Sequence, residues 1–247
     1  MLPRETLDAF TAPDGNDFRL VRHDQDLYIE IDGTELMSTR RTGSEIRLAE
    51  LGCERLDPKG APRVLVGGLG FGFTARAVLN QLPARGRVTV AELFPQIVEW
   101  NRTHASHLYG NSLQDPRLRI EVGDVWALIG RGGWDAIILD TDNGPDAACL
   151  DRNDRLYGRS GLERLRDGLT ENGRLAIWSA DALQRFVKPM GRAGFDARCV
   201  TVRERGSKGA SYAVFLGDLG KARRPPEAGR GARRPQRPRR TTGRRRR

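Results

Sequence analysis

The stretch RVLVGGLGFGFTARAVL (Arg63–Leu79) decides the fold. RVLVG is a short apolar run of the kind that becomes a strand buried on both faces. Gly68, Gly70 and Gly72 follow as a G-x-G-x-G turn, and FTARAVLNQL then reads as a helix that stops at Pro83. Glycines at such a turn let the chain reverse tightly and let backbone approach a ligand, which the N-terminus of the next helix faces. Strand, glycine turn and helix together open a βαβ unit.

The same rhythm continues downstream. Strands are expected at 87–92 (RVTVAE), 117–124 (RLRIEVGD), 134–140 (WDAIILD) and 174–180 (RLAIWSA). Helices are expected at 95–108, opened by Pro95 at its first position, at 162–169, and at 181–194. FDARCVTVRE and ASYAVFLGD, joined by RGSKG, close the pattern as an antiparallel pair. Alternating strands and helices with continuous apolar strands predict an α/β fold: a doubly wound, Rossmann-like, mostly parallel sheet covered on both faces. Upstream, alternation in LYIEI and the Asp32–Gly33 turn predict a small antiparallel hairpin or meander within Phe18–Thr39. A helix follows over 43–56, with Ser44 near its cap and Ile46, Leu48, Leu51 and Leu56 apolar. DPKGAP (57–62) breaks the chain. The expected organisation is an N-terminal hairpin plus helix over 1–58, a nucleoside-binding catalytic domain over 59–220, and a tail over 221–247.

Charge sets the tail apart. The 247 residues carry 42 Lys/Arg and 32 Asp/Glu, a net +10. Thirteen of those bases and one acid fall within 221–247, leaving 29 bases against 31 acids in the rest. The body is near neutral and the tail is Arg-rich, with too few apolar residues to fold alone. Such a tail is expected to be disordered. It reads either as a phosphate-polymer contact acting through counterion release, hence a nucleic-acid contact, or as a solvated appendage. Three scattered cysteines (Cys53, Cys149, Cys199) with no metal-type spacing suggest free thiols in a reducing compartment. His104 and His107, with no third ligand in view, read as a polar helix face rather than a metal site. No apolar run is long enough for a membrane span, and the N-terminus lacks an apolar leader core, so the expectation is a cytoplasmic protein with no membrane contact.

Each strand end carries chemistry. Glu92 lies twenty-two residues beyond Gly70, the spacing at which an acid accepts from a ribose diol; alternatively it partners the helix start ahead of Pro95. Asp124, in GDV, is placed to take a donor such as an adenine amino group, or else caps a turn. Asp140 opens the acidic stretch DTDNGPDA. Clustered carboxylates at a strand end suit positioning a cationic amine and taking its proton. The alternative is an acidic turn, in which Asp142 and Asn143 satisfy backbone N–H groups ahead of Gly144–Pro145. The glycine spacing also permits a dinucleotide site. There is no second dinucleotide half, however, and the closing antiparallel pair resembles the class I S-adenosylmethionine-dependent methyltransferase sheet more than a dehydrogenase.

The set IDGTELMST, RTGSEIRLAEL, RVLVGGLGFGFTARAVL, VAELFPQIVEWNR, VGDVW, WDAIILDTDNGPDA and LYGRSGL resembles the spermidine synthase (polyamine aminopropyltransferase) family from about Phe18 to Leu219, N-terminal hairpin included. The resemblance implies decarboxylated S-adenosylmethionine as co-substrate, no metal, and a small amine acceptor. It also implies Glu92 on the ribose, Asp124 near the adenine and Asp140 as the catalytic aspartate. A homodimer is compatible with this reading. Departures fall on the substrate side. Gly70 stands where the family's glycine loop has an Asp, Asn143 replaces the second acid of its DSSD-type loop, and Leu48, Ala49 and Glu50 stand for its Tyr-His-Glu run. Glu35 replaces the glutamine after the hairpin turn. These changes disfavour putrescine as acceptor and remove a discriminator against the carboxylated donor. On this reading Glu35, Glu50, Asp142 and Asn143 are candidate acceptor contacts. Methyl transfer from S-adenosylmethionine on the same scaffold stays open, as does a catalytically idle nucleoside-binding protein tethered to nucleic acid by its tail.

Overall fold

The apolar runs VLV, VTVA, AIIL and LAIW can shed water on both faces only inside a sheet covered on both sides. The computed structural model places them there. It describes residues 3–108, 112–141, 154–180, 184–205 and 208–220. The tail (221–247) and Asp142, Asn143, Asp146 and Cys149 lie outside the described residues.

Two sheets form. The first is a four-stranded antiparallel meander of β1 (Glu5–Thr11), β2 (Asp17–His23), β3 (Asp26–Ile31) and β4 (Thr34–Ser38). β3 and β4 turn at Asp32 (φ 49°) and Gly33 (φ 78°), the two positive φ values that a type I′ hairpin demands. β1 is an addition to the expected hairpin. ETLDAFT offers only Leu7 and Phe10 to a core, too little alternation to read as a strand.

The second sheet has seven strands: β5 (Arg63–Gly67), β6 (Arg87–Glu92), β7 (Leu118–Val122), β8 (Trp134–Leu139), β9 (Leu169–Ser179), β10 (Asp196–Arg205) and β11 (Lys208–Asp218). Their order is β10-β11-β9-β8-β5-β6-β7. β5 to β9 are parallel, and β11 and β10 run antiparallel, as the closing pair predicts. The chain winds outward from β5 through β6 to β7, then returns to the other side of β5 with β8. The strand order therefore switches between β5 and β8, where ligands of doubly wound sheets bind beyond the strand carboxyl ends.

Side-chain alternation builds two cores. Val64, Val66, Val88, Val90, Ile138 and Ala176 face one layer with α1 (Gly43–Cys53), α2 (Phe73–Gln81) and α3 (Pro95–Thr103). Leu65, Ile137, Leu139, Leu175 and Ile177 face the other, with α6 (Arg159–Gly168) and α7 (Val187–Arg192). Two short helices went unanticipated, α4 (Val125–Ile129) and α5 (Asp154–Tyr157); at five and four residues they show no full amphipathic period. Conversely, the expected helix 95–108 stops at Thr103 and continues as a 3₁₀ turn over 106–108. No helix among the described residues is long and apolar enough to cross a membrane.

The N-terminal meander shares the first core. Phe10 and Phe18 stack with ring centroids 4.9 Å apart, Phe18 meets Phe94 at 4.9 Å, and Phe10 meets Trp100 of α3 at 5.4 Å. The Trp100 indole N–H donates to the Asp8 carboxylate at 2.7 Å. Offset and tilted aromatic pairs of this kind fix orientation as well as burying area.

At the opposite end of the sheet Arg174 is buried and donates through Nε to Asp218 at 2.6 Å, and through Nη1 to the Leu51 carbonyl at 2.7 Å and Glu54 at 2.8 Å. This ties the end of α1 to β9 and β11. Burial pushes the Asp218 carboxyl up, but the guanidinium groups of Arg174, Arg198 and Arg55 outweigh it and hold the group down at about 2. Its contribution to stability is therefore present above the ordinary carboxylate range and lost as pH falls towards 2. Asp218→Ala leaves Arg174 buried with half its partners gone. It should lower stability by about 3–5 kcal/mol in urea unfolding at pH 7, with the gap to the wild type closing at the acid end.

Candidate active site

The first strand of the parallel sheet ends in glycines for a steric reason. Gly68 (φ 89°) lies so close to β8's end that a Cβ there would sit 2.2 Å from the Asp140 carbonyl oxygen. The Asp140 N–H in turn donates to the Gly67 carbonyl at 2.9 Å. The glycine turn and the end of β8 are thus pressed together, and a cavity opens above them. Its lining includes Gly68, Leu69, Gly70, Glu92, Asp124 and Asp140, so five of the candidate residues read from the strand ends converge there. The sixth, Gly72, is the residue before α2, with φ 70°.

Glu92 is buried at the end of β6. Its Oε2 accepts from the Leu69 N–H at 2.9 Å and its Oε1 from the Phe94 N–H at 3.0 Å. Burial raises its carboxyl above the ordinary range, and the N–H groups of Phe94, Leu69, Leu93 and Gly70 offset only part of that rise. Each oxygen keeps lone-pair capacity for a further donor. Asp124 is the N-cap of α4, accepting from the Trp126 N–H at 2.8 Å, and its other oxygen pairs with the Arg155 guanidinium. Both carboxylates therefore fasten backbone and line the cavity at once.

Directly after β8, the Asp140 carboxylate accepts from the Thr74 hydroxyl of α2 at 2.5 Å. Beside it stands Glu45, in the first turn of α1, a cavity-lining residue the sequence reading passed over. Burial first, then the nearby Asp140 carboxylate, pushes the Glu45 carboxyl up to about 7. The Ser44 hydroxyl bonds its Oε2 at 2.6 Å. The start of α1 is held from across the chain: Glu204 of β10 accepts from the N–H groups of Thr42 at 2.7 Å and Gly43 at 2.9 Å, satisfying donors that no side-chain cap serves.

The walls are apolar. Phe18, Ile29, Ile31, Leu36 and Met37 come from the N-terminal meander, and Trp178 from β9. The Trp178 indole nitrogen is shut from solvent and has no partner among the described residues. Gly70 (φ 51°) faces Met37: a Cβ at position 70 would lie 2.6 Å from its sulfur. Asn101 of α3, also unforeseen, is buried and donates to the Gly70 carbonyl at 2.7 Å, fixing the turn from behind.

Two candidate acceptor contacts lie elsewhere. Glu35 is exposed on β4 opposite Glu30, and Glu50 pairs with Arg47 on the outer side of α1. Neither lines the cavity. Among the described residues no group of three His, Cys, Asp or Glu side chains is arranged to hold a metal ion.

No protein-family model matches the chain. It is 33% identical over 138 residues, 54% of its length, to polyamine aminopropyltransferases of Mycobacterium tuberculosis and Mycobacterium bovis. The match spans only about a quarter (25%) of those relatives' own length. The fold is that of the spermidine synthases. The enzyme from Thermotoga maritima superposes with a TM-score of 0.70 over 87% of this chain and 73% of its own, at 15% identity. A spermidine synthase in complex with the transition-state analogue AdoDATO gives 0.68 over 87% and 72%, also at 15% identity. A probable spermidine synthase from Corynebacterium glutamicum gives 0.60 over 88% and 81%, at 18% identity. The spermidine-synthase-like resemblance and the doubly wound fold read from the sequence both stand on these findings.

Met37 over Gly70 yields a direct test. Gly70→Asp should destabilise by about 1–3 kcal/mol, because Met37 must swing away from a packed position. Adding Met37→Ala should recover most of that loss. Thermal unfolding of the single and double variants measures the coupling.

Proposed function

We propose that the chain is a spermidine-synthase-like transferase, moving an aminopropyl group from decarboxylated S-adenosylmethionine to an amine acceptor. One observation carries this reading: one largely apolar cavity at the strand-order switch is lined together by the glycine turn, Glu92, Asp124 and Asp140. The sequence similarity to polyamine aminopropyltransferases supports the same reaction class.

In this reading Glu92 accepts from the ribose hydroxyls while keeping its bonds to Leu69 and Phe94. The backbone of Gly68 and Gly70 passes close under the nucleoside. Asp124 sits at the adenine side, already paired with Arg155. An amine must be neutral to attack, yet a free alkyl amine titrates near 10, like a lysine. The carboxylate of Asp140 holds the ammonium beside the electrophilic carbon and balances its charge until the proton leaves. The nitrogen lone pair then forms the new C–N bond. The C–S bond breaks, and its electron pair stays on sulfur to give neutral methylthioadenosine. The apolar walls keep water from the sulfonium and favour charge annihilation at sulfur. Position 70 bears on donor choice: with no carboxylate there and Met37 in its place, the carboxylated donor meets no repulsion from that side.

The test is product analysis by mass spectrometry after incubation with a panel of primary amines and either donor. Methylthioadenosine together with an aminopropylated amine is the expected outcome. A methylated acceptor and S-adenosylhomocysteine would instead make it a methyltransferase, and no turnover with any pair would overturn the transferase reading. Asp140→Asn should lower kcat by about 10²–10⁴-fold with methylthioadenosine binding retained. Glu92→Gln should weaken methylthioadenosine binding by about 10–100-fold in calorimetry, the cost of losing a charged acceptor.

A further inference from the structure

We propose that Glu45 is the group that takes the proton from the acceptor ammonium, with Asp140 remaining ionised as its electrostatic anchor. The inference rests on the aminopropyl-transfer reading and names a residue that neither the strand-end pattern nor the comparisons supply.

Three observations carry it. First, Glu45 and Asp140 line the same end of the same cavity, arriving from α1 and from β8, while the other two lining carboxylates are engaged elsewhere: Glu92 by Leu69 and Phe94, Asp124 by Trp126 and Arg155. Among the described residues, the lining carboxylates close enough to influence one another are these two. Second, the pair is unequal. Asp140 receives the Thr74 hydroxyl at 2.5 Å, a bond that favours its charged form. Glu45 is bonded by the Ser44 hydroxyl, but it is half-buried and faces negative charge from two elements, Asp140 after β8 and Glu204 of β10. Two carboxylates with environments that push their proton affinities apart divide into one that stays charged and one that exchanges a proton near neutrality. With its carboxyl pushed up to about 7, Glu45 is the exchanging member. Third, Glu45 is held in place by the fold: the start of α1 is fastened by Glu204 of β10 through the N–H groups of Thr42 and Gly43, which keeps Glu45 beside Asp140.

The step balances. An ammonium R–NH₃⁺ entering beside the pair lowers the proton affinity of both carboxylates and binds Glu45 ionised. Glu45 then accepts one N–H proton and becomes a neutral carboxylic acid, leaving R–NH₂. The amine lone pair forms the C–N bond as the C–S electron pair returns to sulfur. The product nitrogen carries the positive charge as a secondary ammonium, and the Glu45 proton passes to solvent as product leaves.

The test compares wild type, Glu45→Gln and Glu45→Asp as full chains, with methylthioadenosine binding as the control for an intact nucleoside end. Butylamine and putrescine are titrated calorimetrically in the presence of methylthioadenosine at pH 6 and pH 8, in two buffers of different ionisation enthalpy. The wild type should bind amine at least tenfold tighter at pH 8, with proton release at pH 6. Glu45→Gln should bind weakly and lose both the pH dependence and the proton release, and Glu45→Asp should restore part of each. In turnover, the acid limb near pH 7 in kcat/KM for the amine should vanish in Glu45→Gln, with kcat lowered by about 100-fold and the donor KM unchanged. An unchanged acid limb and unchanged proton release in Glu45→Gln would overturn the inference while leaving aminopropyl transfer standing. Glu45-dependent proton release without any aminopropylated product would do the reverse. If the wild type binds neither amine, the inference falls, and the donor titration judges the transfer reading separately.

Discussion

The geometry of the cavity depends on one buried carboxylate. Glu92 ends β6 with both oxygens accepting backbone N–H bonds, one from the turn after β5 and one from the approach to α3. An ionised group without such partners would be driven to neutralise in an apolar core. The Leu69 N–H belongs to a chain reversal that glycine makes sterically cheap. Removing the acid would leave two buried donors unsatisfied, and removing the glycines would separate the donors from the acid. Asn101 completes the arrangement by holding the Gly70 carbonyl from the far side. A turn held on both its N–H and C=O sides is rigid before any ligand arrives, and preorganisation of that kind reduces the ordering cost of binding.

The N-terminal meander adds what a bare doubly wound sheet lacks, an apolar wall over the strand ends. Its Phe18, Ile29, Ile31, Leu36 and Met37 face the glycine turn, and the Phe10–Phe18–Phe94–Trp100 cluster fixes it to α3. The charged lining is thereby set apart on the strand-end side, across from this apolar wall. That segregation suits a reaction in which a sulfonium loses its charge, since low polarity around sulfur favours the neutral thioether.

The strand-and-helix rhythm was legible because it repeats a physical requirement. Strands covered on both faces must be continuously apolar, and VLV, VTVA and AIIL are. Glu92 and Asp140 were legible because each stands directly after such a run, and Asp124 because it follows the strand LRIEV and a glycine. Glu45 was not. It sits beside Ser44 in a helix whose first turn looks like ordinary solvated surface, and only the approach of α1 to the end of β8 turns it inward. Helix geometry also explains why Glu50 does not line the cavity. Five residues on from Glu45 it points about 140° away around the helix. There it meets Arg47 rather than the cavity, whereas Leu48 and Ala49 share the buried side. β1 and α4 escaped for a simpler reason, being too short or too polar to show a period.

The Glu204 carboxylate on the Thr42 and Gly43 N–H groups has a consequence in time. It joins residues 162 and 161 positions apart. During synthesis the glycine turn, Glu92 and Asp140 all emerge while β10 is still unmade. Contacts of such sequence separation pay their loop-closure cost last. The start of α1, and with it the placement of Glu45 beside Asp140, is therefore fastened only after the final antiparallel pair has folded back onto the beginning of the first helix.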